Sequence, residues 1–402
     1  MKIFENILQK SKSYQKDLLN LLRKFISIPS FSGEEEKFAK MFQYELESVG
    51  FDNVFIDSLG NVIGTIGKGS FHIAYDGHMD TVDIGNPDRW EVDPFTGEVK
   101  GGYIYGRGST DQKGGLASAI YASKILKEMR LTDEFKITVI GSVLEETREG
   151  VSWQYIIEEG GIKPDFIVLT EPTNLEIKRG HLGRTEIEIE VKGISAHGSM
   201  PEMGRNAIEE SIPVLKELLF LRDSLPSHPV LGRGKLTVTG INSSSPSLCA
   251  VPDRVVIHID RRLTLGEDER KALSEIENLE SIKGGDSTVY IVKNPIPSYT
   301  GFLYKTDLLY PPWLLEENNP FLQKAIRTYE ILFKSKPRVG TWRFSTNGVV
   351  TYGLYRIPTI GFGPGNEEVA HTPNEYCPID HLVKSTAFYA ALPLMFLDLG
   401  VL

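Results

Sequence analysis

The chain has 402 residues, a hydrophobic fraction of 41%, a charged fraction of 24% and a formal net charge of −10. That is the balance of an ordinary soluble protein, with length for about two to three domains of about 150 residues each. An acidic chain with no basic block excludes nucleic acid as the partner, and without a run of about 20 uncharged apolar residues no membrane span is expected.

Residues 1–30 read as an amphipathic helix, and Ser30–Gly33 followed by Glu34, Glu35 and Glu36 starts another, since acids suit a helix N-terminus. Phe71–Tyr75 alternates as a buried strand and the chain is expected to turn through Asp76 and Gly77. A helix is expected over Gly114–Met129, from its near-helical apolar spacing, and another over Val151–Glu158. Strands at Lys136–Val143 and Phe166–Leu169 flank them, short and rich in Ile, Val and aromatics. Strands alternating with helices imply an α/β core with helices on both faces.

The pattern changes near Gly183. Arg184–Lys192 alternates strictly, as a strand with one wet face does. A helix at about Asn206–Leu221, strands at Lys235–Thr239 and Arg254–Asp260, a helix at about Asp268–Leu279 and a strand at Ser287–Val292 follow. The order β-α-β-β-α-β is the ferredoxin-like split unit, expected as an inserted domain over 183–295, with the catalytic domain made of 1–182 and 296–402. The α/β pattern resumes with a helix at Asn319–Leu332, a strand at Thr359–Gly363 and a final helix at Ile379–Met395, in an apolar 388–402 segment broken by Pro393, Asp398 and Gly400. Cys249 and Cys377 are far apart and outside any CxxC pattern, which excludes a disulfide framework or thiolate zinc site and predicts a reducing, cytoplasmic setting. The charged start, Met1–Glu5, lacks the apolar run of a secretion signal.

Chemistry is suggested by what stands at the strand ends. His78 and Asp80, two apart at the end of a buried strand, point to one side, and a carboxylate beside an imidazole is costly there unless a positive charge is near. Asp111, in Gly-Arg-Gly-Ser-Thr-Asp before a helix, Glu145 and Glu146 after one strand, Glu171 after another and His371 in a loop join them. Singly, Asp111 reads as a helix N-cap, Glu145–Glu146 as a solvated turn, and His371 as an ordinary loop histidine. Jointly they line the crevice beyond the carboxyl ends of an α/β sheet, where ligands bind. Five packed carboxylates without cations would be forced to protonate, and two divalent ions offset nearly all of that charge. The mixed N/O ligand set suits zinc, with cobalt or manganese also accepting it. A two-metal site activates water and polarises a carbonyl, and one leftover carboxylate can serve as general base, which points to amide or peptide hydrolysis.

The stretches GHMDT (77–81), GRGSTDQKGG (106–115), LEE (144–146), TEPT (170–173), GISAHGSMPEMGRNAI (193–208) and AHTPNE (370–375) resemble, in order, the metal-dependent aminoacylase and carboxypeptidase family. This family includes acetylornithine deacetylase and succinyl-diaminopimelate desuccinylase, and the chain resembles in particular a bacterial subgroup named for linkage to selenium metabolism. The resemblance covers about residues 70–380. It implies a metallopeptidase-type catalytic domain, a mixed central sheet flanked by helices, with an inserted α+β ferredoxin-like lid through which two chains pair. It implies that His78, Asp111 and Glu171 bind one metal, that Asp111 also bridges to a second held by Glu146 and His371, and that Glu145 is the general base. Asp80 would then hold the His78 imidazole in its tautomer, His197 would help stabilise the oxyanion, from the neighbouring subunit in dimeric members and here from its own or the partner subunit, and Arg262 would bind a substrate carboxylate. Asn347 and Gly363 are expected to line the substrate pocket. Two departures touch the substrate side, Cys249 ahead of Val251-Pro252-Asp253 and Ser243–Ser245 in the preceding loop, so N-acyl amino acids, dipeptides and N-carbamoyl compounds stay open. Two rivals were weighed. Gly106–Asp111 imitates GxGxxG but places an acid where a pyrophosphate would sit, and a non-catalytic binding protein on the same scaffold would have a damaged site.

Overall fold

In the computed structural model, residues 2–293, 295–306 and 309–397 are described; residues 398–402 of the expected catalytic segment lie outside them. An eight-stranded mixed sheet forms the larger part. Its central strands, in spatial order Phe135–Ser142, Phe71–His78, Phe166–Leu169 and Thr359–Gly361, are parallel. The hairpin Asn53–Ile56 and Val62–Ile66 adds antiparallel to Phe135–Ser142.

Both faces of this sheet are buried. Ile73, Tyr75, Val139 and Val168 enter one core, while Ala74, Ile140, Ile167 and Leu169 enter another, the period-2 alternation of strand side chains. The first core lies under helices Glu36–Val49, Lys113–Glu128 and Ile379–Ala391, and the second under helix Val151–Glu158 with Trp153, Trp313 and Trp342. Helices therefore sit on both faces, as the alternating pattern implied.

Residues 183–291 make a second sheet of four antiparallel strands in the order Lys235–Ser244, Arg254–Leu263, Gly183–Lys192, Ser287–Ile291. Helices Ala207–Ser224 and Glu269–Glu277 complete the ferredoxin-like arrangement. This sheet has its own core, around Ile187, Ile189, Val214, Leu218, Ile257 and Ile259, and Gly183–Lys192 alternates buried and half-exposed as its sequence does.

Several boundaries differ from expectation. The first 30 residues form two helices, Lys2–Ser13 and Gln15–Ile26, where the Ser13 hydroxyl bonds back to the Lys10 carbonyl (2.7 Å), a local alternative to helix continuation. The strand expected to stop at Tyr75 runs to His78 because Asp76, Gly77 and His78 pair in register with Ile140, Gly141 and Ser142. The strand expected to end at Thr239 continues through a register shift to Ser244. The last helix ends at Ala391 and tightens into a 3-10 turn containing Pro393, which cannot donate to a continuing helix. Among the described residues, no helix is long and apolar enough to cross a membrane.

Candidate metal centre

The site forms at the carboxyl edge of the parallel strands. His78 is the last residue of its strand, Glu171 follows the adjacent strand by two residues, and Glu145 opens the short helix Glu145–Arg148 beyond Phe135–Ser142. The two acids thus begin a helix and do not simply end a strand. Leu144 makes that turn with φ of 59°, an uncommon conformation for a bulky residue, while its amide donates to buried Glu35 (3.2 Å).

Asp80 is fully buried, and its carboxylate does something other than expected. It accepts from the amides of Glu145 and Glu146 (both 3.1 Å) and from the Ser32 hydroxyl (2.7 Å). The His78 Nδ1 instead lies 2.8 Å from the Asp80 main-chain oxygen, with the nearer carboxylate oxygen at 3.6 Å. A carbonyl can only accept, so Nδ1 carries the proton and Nε2 faces the site. Asp80 therefore orients the imidazole through its backbone and fixes the two glutamates through its side chain.

Asp111 occupies the middle. Its Oδ1 is 2.9 Å from His78 Nε2 and its Oδ2 is 3.3 Å from His371 Nε2. His371 Nε2 is also 3.0 Å from Glu146, and His78 Nε2 is 3.7 Å from Glu171. Ligand-capable atoms of His78, Asp111 and Glu146 lie within 4.8 Å of one another, as do those of His78, Glu145 and Glu171. All six site residues apart from Asp80 thus meet in one place.

Asp111 precedes helix Lys113–Glu128 without capping it; the cap position is Gln112. Its loop is held by Glu375, which the sequence reading quoted in AHTPNE but gave no role. That fully buried carboxylate accepts from the amides of Gly108 (3.1 Å), Thr110 (2.8 Å) and Asp111 (2.9 Å) and from Arg107 (2.6 Å). Gln112, also missed, donates to Glu171 (3.2 Å) and accepts from Thr170 (2.7 Å). The signal was there: both residues stand inside motif blocks, beside residues that were chosen.

The electrostatics of the ion-free cluster are those of excess negative charge. Burial pushes Glu171 up to about 8, helped by Asp111 and Glu146 and opposed by His78. Burial and then Asp111 raise Glu146 to about 7. Burial and then Glu171 raise Glu145 well above the usual carboxylate range. Burial alone would lower His78, yet Glu171, Asp111 and Glu145 hold it well above the usual histidine range. Hydrogen bonds to Asp111 and Glu146 carry His371 up to about 10. Only Asp111, between two imidazoles whose bonds outweigh its burial, stays below the ordinary carboxylate range. Buried oxygens of Glu145 and Glu146 have no hydrogen-bond partner among the described residues. Buried acceptors are normally satisfied, so these oxygens and the carboxylate-rich donor set fit divalent cations.

The other expected residues fare differently. Asn347 is buried, and its amide is engaged by Asp76 (2.9 Å), Ser142 (3.2 Å) and the Gly150 amide (2.7 Å). It braces the strands. Gly363 packs so closely that a Cβ would stand 2.2 Å from the Glu171 carbonyl oxygen, which sets it against the backbone that carries Glu171. Arg262 is half-buried and forms a two-pronged pair with Asp260 (2.8 and 3.0 Å). Arg261 faces the other way, fully buried against Glu267 and Glu275, as strand alternation requires. His197 is exposed in the second unit, its Nδ1 bonded to Ser199 (2.7 Å). Among the described residues, no hydrogen bond or ion pair joins His197 to the cluster.

An α/β fold with helices on both faces of its sheet, and carboxylates and histidines gathered at its strand ends, defines a class of metal-dependent hydrolases. The family description Peptidase family M20/M25/M40 matches residues 74–394, and the chain belongs to that family. It is a hydrolase acting on C–N bonds. It is 47% identical over 394 residues to the uncharacterised protein YgeY of Escherichia coli K12, covering 98% of each chain. It is 28% identical to acetylornithine deacetylase of Proteus mirabilis, covering 89% of this chain and 91% of that one. Its fold matches the crystal structure of aminopeptidase PepT from Bacillus cereus with a TM-score of 0.72 at 23% identity, over 94% of this chain and 97% of that one.

Proposed function

We propose that this chain is a di-metal hydrolase that cleaves the amide or peptide bond of a small carboxylate-bearing substrate, an N-acyl amino acid or a dipeptide. One observation carries the reading: the Asp111 carboxylate lies between the His78 and His371 imidazoles, one oxygen towards each, as a bridging ligand must. His78, Asp111 and Glu171 would hold one ion, and Asp111, Glu146 and His371 the other. Zinc suits these nitrogen and oxygen donors, as do cobalt and manganese. When bound, the ions supply Lewis acidity for the scissile carbonyl and the attacking water.

The chain's own groups supply the rest. Glu145 takes a proton from the water on its carboxylate and passes it to the leaving amine nitrogen. His197 donates to the developing oxyanion, and Arg262 exchanges its Asp260 partner for the substrate carboxylate. The segments 1–182 and 296–402 serve as the catalytic domain, and 183–295 as the dimerisation lid. Exposed Ile208, Ile212, Leu219 and Phe220 on helix Ala207–Ser224, beside the edge strand Lys235–Ser244, support pairing through this lid. Two free cysteines support a reducing cytoplasmic setting. The resemblance to the selenium-linked subgroup names no reaction, and the substrate assignment does not depend on it.

The test is a panel of N-acyl amino acids, dipeptides and N-carbamoyl amino acids with metal-loaded and chelator-treated protein. Metal-dependent release of amine from an acyl or peptidyl member supports the reading. Hydrolysis untouched by chelation, or none across the panel with metal bound, contradicts it.

A further inference from the structure

A cavity of about 410 Å³ lies where the two units meet. One wall comes from Thr147 and Arg148, on the short helix that begins with Glu145 and Glu146. The opposite wall comes from both crossings of the chain between the sheets, Arg184 near one and Ile291–Lys293 near the other. These crossings lie side by side, for the Val292 amide donates to Glu186 (2.9 Å) and the Arg184 amide to Tyr310 (2.9 Å).

Arg148 is the unexplained group. It is only 6% exposed, and its guanidinium makes a long 3.4 Å approach to the Tyr304 carbonyl. It has no ion pair among the described residues. Of the other buried arginines, Arg107 is matched by Glu375 and Arg261 by Glu267 and Glu275, while Arg179 has a short 2.6 Å bond to the Leu315 carbonyl. Arginine cannot shed its charge, and a buried charge without a counter-ion is costly. The cavity is where the missing anion fits. Its cationic lining, Arg148, Arg184, Lys293 and Lys305, outnumbers its carboxylates, Glu186 and Glu269, and Arg184 is already paired with Glu149 (3.1 Å). Ile291 and the Tyr310 ring, over which the Arg184 guanidinium sits at 5.1 Å, add apolar surface to the lining.

We propose that this cavity is a second ligand site, distinct from the metal cluster, for a small organic dicarboxylate. One carboxylate pairs with Arg148 and the other with the lysine side of the cavity, while a short carbon chain lies along Tyr310 and Ile291. The ligand thereby ties the helix carrying Glu145 and Glu146 to the strands of the second sheet, and its occupancy sets how the two units sit.

Calorimetric titration of glutarate into the metal-loaded full chain tests this. One glutarate per chain is expected, with affinity retained in His78→Ala and lowered at least ~10-fold in Arg148→Ala and in Lys305→Glu, since each loses a charge-assisted contact. Lys305 is exposed, so its variant decides the matter if Arg148→Ala fails to fold. Butyrate, with one carboxylate, should bind at least ~10-fold more weakly than glutarate. Absence of saturable binding, binding that both cavity variants leave unchanged, or binding lost in His78→Ala would each overturn the proposal, the last because glutarate would then be sitting on the metal cluster.

Discussion

The metal cluster and the second sheet treat their polar residues in opposite ways. In the cluster, His78, Asp111, Glu145, Glu146 and Glu171 are drawn together from three strand ends and a loop, and a further shell of Asp80, Glu375 and Gln112 fixes them. In the second sheet, Arg262 is paired with its neighbour Asp260 and His197 with its neighbour Ser199. One region gathers its polar residues within a single chain, and the other holds Arg262 and His197 in local pairs that, on the proposed function, a substrate or a second subunit would open. Rigid elements preorganise the cluster, while the residues proposed to recognise substrate stand on the second sheet.

The sharpest test of this contrast is Glu145→Gln. Turnover should fall by about 10² to 10⁴ with metal content unchanged, measured by kcat and elemental analysis; retained turnover would remove the base from the cluster. His197→Ala should lower kcat by about 10² to 10³, the range of an oxyanion donor. Mixing it with Glu145→Gln should then restore part of the activity through hybrid dimers. If mixing restores nothing, His197 acts within its own chain and the contrast narrows.

Smaller effects are expected from the supporting residues. Asp80→Asn and Glu375→Gln should each cost about 10- to 100-fold, the range for groups behind metal ligands. Asp80→Asn should act mainly on kcat, through the Glu145 and Glu146 amides, and Glu375→Gln mainly on metal affinity, through the Asp111 loop. The same loss of kcat and affinity in both would show that the two supports are not separate. The smallest effect concerns pH. Glu146 and Glu171 titrate near 7 and 8 in the ion-free fold, against about 4.3 in an unfolded chain. Groups raised on folding bind protons more tightly in the native state, so ion-free protein should lose stability as pH rises from about 5 to about 8. His371, raised to about 10, adds a loss in the same direction at higher pH. Thermal melts of chelator-treated protein should show this fall and metal-loaded protein should not.

The sequence made the cluster legible because its ligands stand at strand ends, where apolar alternation gives way to acids and histidines. The second sheet was legible because Arg184–Lys192 alternates without a break. What stayed hidden has physical causes. Val62–Ile66 carries Gly64 inside a five-residue run, too short and too interrupted to read as a strand. The division of Asp80 into a carbonyl for His78 and a carboxylate for two amides depends on the turn at Leu144, which no local pattern announces. Asn347 and Gly363 stand in polar and glycine-rich loops that look like pocket walls, yet tertiary packing uses one as a brace and the other as a point of close approach.

The central claim is that one chain's strand ends build a site for two cations around Asp111. Titrating zinc into chelator-treated protein, with proton release followed in parallel, tests it most directly. Two ions per chain are expected, with release of protons from the raised carboxyls and histidines, and Asp111→Asn should weaken both binding events. A single ion, none, or two ions bound equally well by Asp111→Asn would contradict it.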